Sequence, residues 1–170
     1  MSNSKNLSLD KKNIDTILVL DFGSQYTQLI ARRIRELNVF SVILPWDVST
    51  EKIRSLNPMG VILSGGPESV TESNTPRIPE IIFELDVPVL GICYGMQTLA
   101  EQFGGQVSSS KNKEFGHAQI VLEKPSLLFD GFSSGSSVDV WMSHGDHVST
   151  LPDAFNLIAS TKSAPIAAME

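Results

Sequence analysis

The sequence predicts an α/β fold: an open, mostly parallel sheet with helices on both faces, followed by an antiparallel β portion in the C-terminal third. Three observations predict it. Short continuous apolar runs, typical of strands buried on both faces, alternate with helical patterns through about residue 105. Glycine and proline turns separate the two kinds of segment. Beyond that point, further apolar runs follow without a long helix between them, which favours an extension of the sheet together with an antiparallel β portion.

The first strand and helix show how the elements are identified. Residues 17–20 form an apolar run that is too short for a helix, and Ser24 is placed to cap the helix that follows. The helical spacing of the next apolar side chains predicts one buried face, made of Tyr26, Ile30, Ile34 and Leu37.

The remaining elements follow by the same reasoning. Strands are predicted at residues 40–44, 60–63 and 87–92, and later at 118–122, 138–142, 155–160 and 165–168. Helices are predicted at residues 50–56, around Ile78, Ile81, Ile82 and Leu85, and from Met96 to Phe103, where Gly104 and Gly105 end the last helix.

Length and composition indicate one globular domain. The chain has 170 residues, with 13 Lys and Arg against 19 Asp and Glu, for a net charge of −6. This acidic balance argues against a nucleic-acid partner, and no apolar run is long enough for a membrane helix. The single cysteine excludes an internal disulfide and a multi-cysteine zinc site, so we expect no metal. We expect a flexible tail at residues 1–15 and one cytoplasmic domain at residues 16–170.

The single cysteine lies where the fourth predicted strand meets its helix. Cys93 is flanked by Gly91 and Gly95, and side chains at those two positions would collide in a sharp strand-to-helix turn. Such a turn exposes the sulfur at the carboxyl end of the sheet, where α/β proteins place ligands. The helix N-terminus is expected to lower the pKa of the thiol, and the N–H of Tyr94 to face a developing oxyanion. The pattern favours a nucleophile, with an inert buried cysteine as the alternative.

Two further segments are candidates for the same site. Residues 64–69, Ser-Gly-Gly-Pro-Glu-Ser, follow the third strand, and Gly66 is a candidate for a second oxyanion N–H. A plain glycine turn is the alternative, and a phosphate-binding loop is excluded because its lysine is missing. Residues 141–147, Trp-Met-Ser-His-Gly-Asp-His, are interpreted as a loop that recognises a zwitterion, with an ordinary surface loop as the alternative. Their spacing matches no standard zinc site.

Four motifs together carry a resemblance to a known family. They are Asp-Phe-Gly-Ser-Gln-Tyr-Thr-Gln-Leu at residues 21–29, the segment at 64–69, Gly-Ile-Cys-Tyr-Gly-Met-Gln at 91–97, and Trp-Met-Ser-His-Gly-Asp at 141–146. The chain resembles the flavodoxin-like class I glutamine amidotransferases, whose triad is Cys-His-Glu. The first and last motifs resemble the GMP synthetase branch of that family in particular. The resemblance extends from about residue 17 to residue 170.

The resemblance implies a role for each matching residue. Cys93 would be the catalytic nucleophile that releases ammonia from glutamine through a glutamyl thioester. The N–H groups of Gly66 and Tyr94 would form the oxyanion hole. Glutamine would be bound by Gln97, Ser143, Gly145 and Asp146, and the carboxylate of Asp146 suits the ammonium group.

The resemblance also implies partners and cofactors. The ammonia would pass to an ATP-pyrophosphatase domain of the same protein, which uses ATP and Mg²⁺ to convert XMP to GMP. The amidotransferase domain itself would need no cofactor. The full-length protein would be a homodimer.

One departure from the family limits the activity that we expect. The triad histidine and glutamate of the family lie in a His-Pro-Glu segment, and no His-x-Glu occurs in these 170 residues. We therefore expect a truncated amidotransferase domain, without its ATP-pyrophosphatase domain and nearly inactive alone. His144 or His147 as a substitute base is an alternative. A second hypothesis is a non-catalytic subunit that docks onto a synthetase, and a third is the amidotransferase of another pathway, such as anthranilate or carbamoyl phosphate synthesis.

Overall fold

The structure is a computed structural model that describes residues 15–170, except for the side chains of residues 110–115 and 144. The expected tail at residues 1–15 therefore lies, apart from its last residue, outside the described part of the chain. No helix among residues 15–170 is both long enough and apolar enough to span a membrane.

The first part of the chain forms a four-stranded parallel sheet, as predicted. Its strands lie in the order β2-β1-β3-β4. They are β1 (Thr16–Asp21), β2 (Phe40–Pro45), β3 (Gly60–Leu63) and β4 (Val89–Gly91), and the helices between and after them are α1 (Thr27–Glu36), α2 (Thr50–Leu56), α3 (Ile81–Glu84) and α4 (Tyr94–Gln102).

The apolar runs that predict the strands also form the core. Leu18 and Leu20 of β1 are fully buried and pack with Leu63 of β3, Ile53 of α2 and Ile82 of α3. A central parallel strand is covered on both faces, which explains why its residues are apolar without alternation.

The start of α1 differs from the prediction. The helix begins at Thr27 and not after Ser24, whose Oγ instead accepts a hydrogen bond from the N–H of Tyr26 at 3.0 Å. Asp21 accounts for the delay, because its Oδ1 accepts from the N–H of Gly23 at 2.9 Å and from the Thr27 hydroxyl at 2.7 Å. These bonds hold a turn between β1 and α1 that postpones the helix.

The buried face of α1 also differs from the predicted one. Its buried residues are Thr27 and Ala31, whereas Tyr26 and Leu37 are 50% and 76% exposed. The helix packs against β1 and β2. Small side chains allow that close approach, so the larger apolar residues lie at the edge of the contact and not within it.

The end of α4 confirms the prediction. Gly104 has φ of +88°, and the N–H of Gly105 donates to the carbonyl of Ala100 at 2.8 Å. This bond and the left-handed glycine are those of a Schellman motif, which satisfies carbonyl groups at the helix end.

The last third forms a separate four-stranded antiparallel sheet in the order β6-β5-β7-β8. The strands are β5 (Gln106–Leu122), β6 (Ser137–Thr150), β7 (Leu157–Ser160) and β8 (Ala168–Met169), with a 3-10 turn at Leu127–Phe129. The antiparallel character is confirmed, but the sheet does not extend the parallel one. Strands β5 and β6 are much longer than predicted. Each continues into a polar stretch that has no apolar pattern and is held in the sheet by pairing with the other strand. Helix α4 contacts β3 and β4 of the first sheet and β5 and β6 of the second.

Candidate active site

Cys93 lies at a strained turn between β4 and α4, residues 91–95, which we call the elbow. Its φ is +52° and its ψ is −111°, a conformation that non-glycine residues rarely adopt. A Cβ at Gly91 would lie 2.7 Å from the N of Met96, and one at Gly95 would lie 2.4 Å from the carbonyl oxygen of Leu63. The predicted sharp turn, and the need for glycine on both sides of the cysteine, are therefore confirmed.

The turn places the Cys93 side chain on the wall of a large cavity. The cavity has a volume of about 770 Å³. Its wall contains residues from the β1–α1 turn (Gly23, Ser24, Gln25, Tyr26), α1 (Leu29, Ile30), the loop after β3 (Gly65, Gly66, Pro67), the elbow and α4 (Ile92, Cys93, Met96, Gln97), β6 (Trp141, Met142, Ser143, Asp146, His147) and the segment near β8 (Ala164, Ile166, Ala167). The sulfur is thus partly exposed, and the alternative of a cysteine sealed in the core is wrong.

Two main-chain amides are the predicted oxyanion donors, those of Tyr94 and Gly66. The N–H of Tyr94 interacts with the Cys93 thiol. Gly66 forms part of the cavity wall, and a Cβ there would lie 2.6 Å from the carbonyl oxygen of Phe22. Among the main-chain hydrogen bonds of residues 15–170, neither of these two N–H groups donates to another carbonyl. In the described part of the chain the Gly66 amide thus has no main-chain carbonyl as its partner, whereas the Tyr94 amide interacts with the Cys93 sulfur.

The ionisation of the thiol differs from the expectation. Burial raises the pKa of the Cys93 thiol, the N–H of Tyr94 acts in the opposite direction, and the Asp146 carboxylate raises the pKa further. The expected lowering of the thiol pKa by the helix N-terminus is thus outweighed, because transfer of the thiolate out of water raises the pKa more than the hydrogen bond from one amide lowers it.

Gln97 and Asp146 connect α4 to β6. Gln97 is only 5% exposed, and its Nε2 donates to the main-chain oxygen of Asp146 at 2.8 Å. The carboxylate of Asp146 accepts a hydrogen bond from the Ser69 hydroxyl at 2.5 Å. The Cys93 thiol lies 3.6 Å from the carbonyl oxygen of Ser143 and is directed at it as a donor.

The structure brings most of the predicted site residues together. Cys93, Gly66, Gln97, Ser143 and Asp146 all line the cavity. Gly145 is not among the lining residues; it lies in β6 where the pairing with β5 shifts register. The side chain of Tyr94 points away, since its hydroxyl donates to the Pro76 carbonyl at 2.6 Å and its ring packs on Phe22, so only its main chain belongs to the site.

The segment at residues 141–147 is strand and not loop. It belongs to β6 and pairs with β5. The prediction of a loop was wrong because the polar residues Ser143 to His147 show no strand alternation, and the partner strand that holds them is distant in sequence. His147 lines the cavity, and its Nδ1 is buried without a hydrogen-bond partner among the described atoms. The His144 side chain lies outside the described residues.

Sequence reasoning missed Ser69 and the apolar lining. Ser69 stands in the motif at residues 64–69, which could have pointed to it, but its partner Asp146 lies 77 positions further along the chain. Trp141 and Tyr26 line the cavity while remaining 77% and 50% exposed.

Comparisons with known proteins identify the family. Residues 18–170 match the family model of glutamine amidotransferase class-I. Glutamine-hydrolyzing GMP synthases of Histophilus somni and Teredinibacter turnerae are 57% and 60% identical to this chain over 158 and 159 residues. Each alignment covers 90% of this chain and 30% of the relative, so the chain spans about 30% of the length of these curated relatives.

A solved structure gives the same result for the fold. A protein of Thermoplasma acidophilum, described as a candidate GMP synthase subunit, superposes with a TM-score of 0.79 at 31% identity. The superposition covers 92% of this chain and 78% of the other. With the family match extending over nearly all of the described residues, and with the cysteine elbow at its centre, the chain belongs to the class-I glutamine amidotransferases.

Proposed function

We propose that this chain is the glutamine-hydrolysing part of a GMP synthase and that Cys93 is its nucleophile. The observation that carries the proposal is the elbow. Cys93, with its positive φ, lines the cavity together with Gly66, and the N–H of Tyr94 interacts with the Cys93 thiol. This is the arrangement that acyl transfer from an amide to a thiol requires.

In the proposed reaction, Sγ of Cys93 attacks the side-chain amide carbon of glutamine. The oxygen of the tetrahedral intermediate receives hydrogen bonds from the N–H groups of Tyr94 and Gly66. The C–N bond then breaks, the leaving nitrogen takes up the proton that the Cys93 thiol gave up and departs as ammonia, and a glutamyl thioester remains. Water hydrolyses the thioester to glutamate and restores the thiol, so the sum is glutamine plus water to glutamate plus ammonia.

The two charged ends of glutamine are assigned to the wall formed by α4 and β6. The Asp146 carboxylate pairs with the ammonium group. Gln97 supports Asp146 through its main chain. The main chain of Ser143, which lines the cavity, receives the carboxylate end, and Gly145, which does not line it, is assigned no contact with glutamine.

The acceptor of the ammonia is proposed to be XMP. Relatives at 57% and 60% identity are both named GMP synthases, which supports this acceptor over those of anthranilate or carbamoyl phosphate synthesis. The complete reaction is XMP, ATP, glutamine and water to GMP, AMP, diphosphate and glutamate. ATP and Mg²⁺ belong to an ATP-pyrophosphatase domain, the proposed partner, in a homodimeric cytoplasmic enzyme. The amidotransferase domain itself needs no cofactor.

We further propose that these 170 residues alone turn over glutamine very slowly. Among the described atoms, the hydrogen-bond partner of the Cys93 thiol is a carbonyl oxygen, which cannot act as a base, and the pKa of the thiol is raised. Loss of the base from such a triad costs about 10⁴-fold or more in rate. Ammonia release by the purified chain should therefore be near background, and turnover comparable with that of a full-length relative would contradict the proposal.

Covalent labelling tests the nucleophile separately from turnover. A diazoketone analogue of glutamine should add one equivalent to the chain, and peptide mapping should place it on Cys93. The corresponding methyl ketone, which has no leaving group, is the matched control and should leave no stable adduct. Labelling at any other residue would refute the assignment.

A further inference from the structure

The hydroxyl groups of Thr71 and Ser69 form a chain of hydrogen bonds that ends at the carboxylate of Asp146. Ser69, in the loop after β3, donates to Asp146 Oδ2 of β6 at 2.5 Å. The Ser69 Oγ also lies 2.7 Å from Thr71 Oγ1, and the N–H of Thr71 donates to it at 3.3 Å. The contact therefore joins a loop of the parallel sheet to a strand of the antiparallel sheet.

The direction of these hydrogen bonds follows from counting protons. An ionised carboxylate only accepts, so the single hydroxyl proton of Ser69 belongs to the bond with Asp146. Between Ser69 and Thr71 the donor must then be Thr71. Ser69 accepts from both the hydroxyl and the N–H of Thr71, and successive hydrogen bonds of this kind strengthen one another.

Asp146 is consequently held at two points. Gln97 fixes its main-chain oxygen, and Ser69 fixes one oxygen of its carboxylate. A carboxylate that is already oriented loses less conformational entropy when it binds an ammonium group than a free one does.

We propose that Ser69 is a positioning residue that orients the Asp146 carboxylate toward the ammonium group of the bound amino acid. This inference rests on the proposed function, in which glutamine occupies the cavity. It adds a specificity role to the loop after β3, beyond the amide that Gly66 contributes.

The test is protection of Cys93 from iodoacetamide. Cys93 is the single cysteine of the chain, so alkylation reports on one site. The concentration of ligand that halves the alkylation rate is measured for glutamine and for 4-carbamoylbutanoate, which lacks only the amino group. Each alkylation rate is compared with the rate of the same variant without ligand. The half-protecting concentration therefore does not depend on the intrinsic reactivity of the thiol.

The two ligands should respond differently to substitution of Ser69. Ser69→Ala should raise the half-protecting concentration of glutamine about tenfold, as loss of a hydrogen bond to a charged group does, and leave that of 4-carbamoylbutanoate within about twofold. Ser69→Thr, which keeps the hydroxyl, should bind glutamine within about twofold of the wild type. Ser160→Ala is the matched control, since Ser160 donates to the Glu123 carboxylate at 2.5 Å away from the cavity, and it should change neither value.

Two results would overturn the inference alone. In the first, Ser69→Ala weakens the binding of both ligands equally, which would indicate a general structural role. In the second, Ser69→Thr binds glutamine as weakly as Ser69→Ala does. If glutamine does not protect the wild-type chain at all, the proposed function fails and this inference fails with it.

Discussion

The thiol of Cys93 is subject to opposing influences. Its position at the start of α4 and the N–H of Tyr94 favour the thiolate, whereas burial and the Asp146 carboxylate disfavour it. The two disfavouring influences prevail in this structure. The same carboxylate that suits the ammonium group of a ligand therefore makes the empty site less reactive, and an ammonium group beside Asp146 would offset that effect.

The pH dependence of Cys93 alkylation measures this balance. Because the pKa of the folded-state thiol is raised, alkylation should accelerate as the pH rises through a midpoint above that of a free cysteine. Asp146→Asn removes one of the raising influences, so its midpoint should fall below that of the wild type while burial keeps it above the free value. The measurement is the iodoacetamide rate as a function of pH.

Glu68→Gln is the control for that experiment. Glu68 lies on the neighbouring loop but is not among the groups that shift the pKa of Cys93, so its neutralisation should leave the midpoint in place. An unchanged midpoint in Asp146→Asn, or an equal shift in both variants, would contradict the account.

The elbow glycine offers a second test at the scale of one residue. Gly95→Ala forces a Cβ to within 2.4 Å of the Leu63 carbonyl oxygen, so the free energy of unfolding should fall by about 1–3 kcal/mol. At Gly65 the nearest atom would be 3.5 Å from a Cβ, and Gly65→Ala should change stability by about 0.5 kcal/mol or less. Urea denaturation of the two variants measures the difference; equal stabilities would show that the elbow is not tightly packed.

At the scale of elements, the parallel sheet was predictable because its strands are continuous apolar runs. Strand β1 is fully buried at Leu18, Val19 and Leu20, and such a run has few alternatives to a central strand. The start of α1 was not predictable from propensity, since the Asp21 carboxylate and not the Ser24 hydroxyl determines the turn. Long polar stretches of β5 and β6 carry no local signal of a strand at all.

The same distinction applies to the site. Cys93, with its two glycines, is a local motif and could be identified from neighbouring residues. The bond between Ser69 and Asp146, and the burial that raises the pKa of Cys93, depend on segments that meet only in the folded chain. The resemblance to a family predicted Gln97 and Asp146 as binding residues, but it did not predict how the two contact each other.

The turn between β1 and α1 can be tested by a double-mutant cycle. Asp21→Ala leaves the buried hydroxyl of Thr27 without its partner and should lower the free energy of unfolding by about 1–3 kcal/mol. Thr27→Val should make Asp21→Ala less costly, because the unpaired hydroxyl is then gone. Additive effects in urea denaturation would mean that this bond does not stabilise the turn.

At the scale of the whole molecule, the cavity lies where the two sheets meet. One part of its wall comes from the turns and loops at the carboxyl ends of β1, β3 and β4, and another from β6 of the antiparallel sheet. Helix α4 contacts both sheets. Cys93 and the main-chain amides of Gly66 and Tyr94 thus follow strands of the parallel sheet, while Asp146 belongs to the antiparallel sheet, so the proposed site requires both.

A crystal structure of the chain with glutamate γ-semialdehyde tests this arrangement most directly. The aldehyde has the backbone of glutamine and forms a thiohemiacetal with a cysteine, whose oxygen occupies the place of the oxyanion. The expected result is a bond from the aldehyde carbon to Sγ of Cys93, with the oxygen about 3 Å from the N atoms of both Tyr94 and Gly66. The ammonium group should contact Asp146. An aldehyde bound without a bond to the sulfur, or a thiohemiacetal oxygen directed away from both amides, would contradict the central claim.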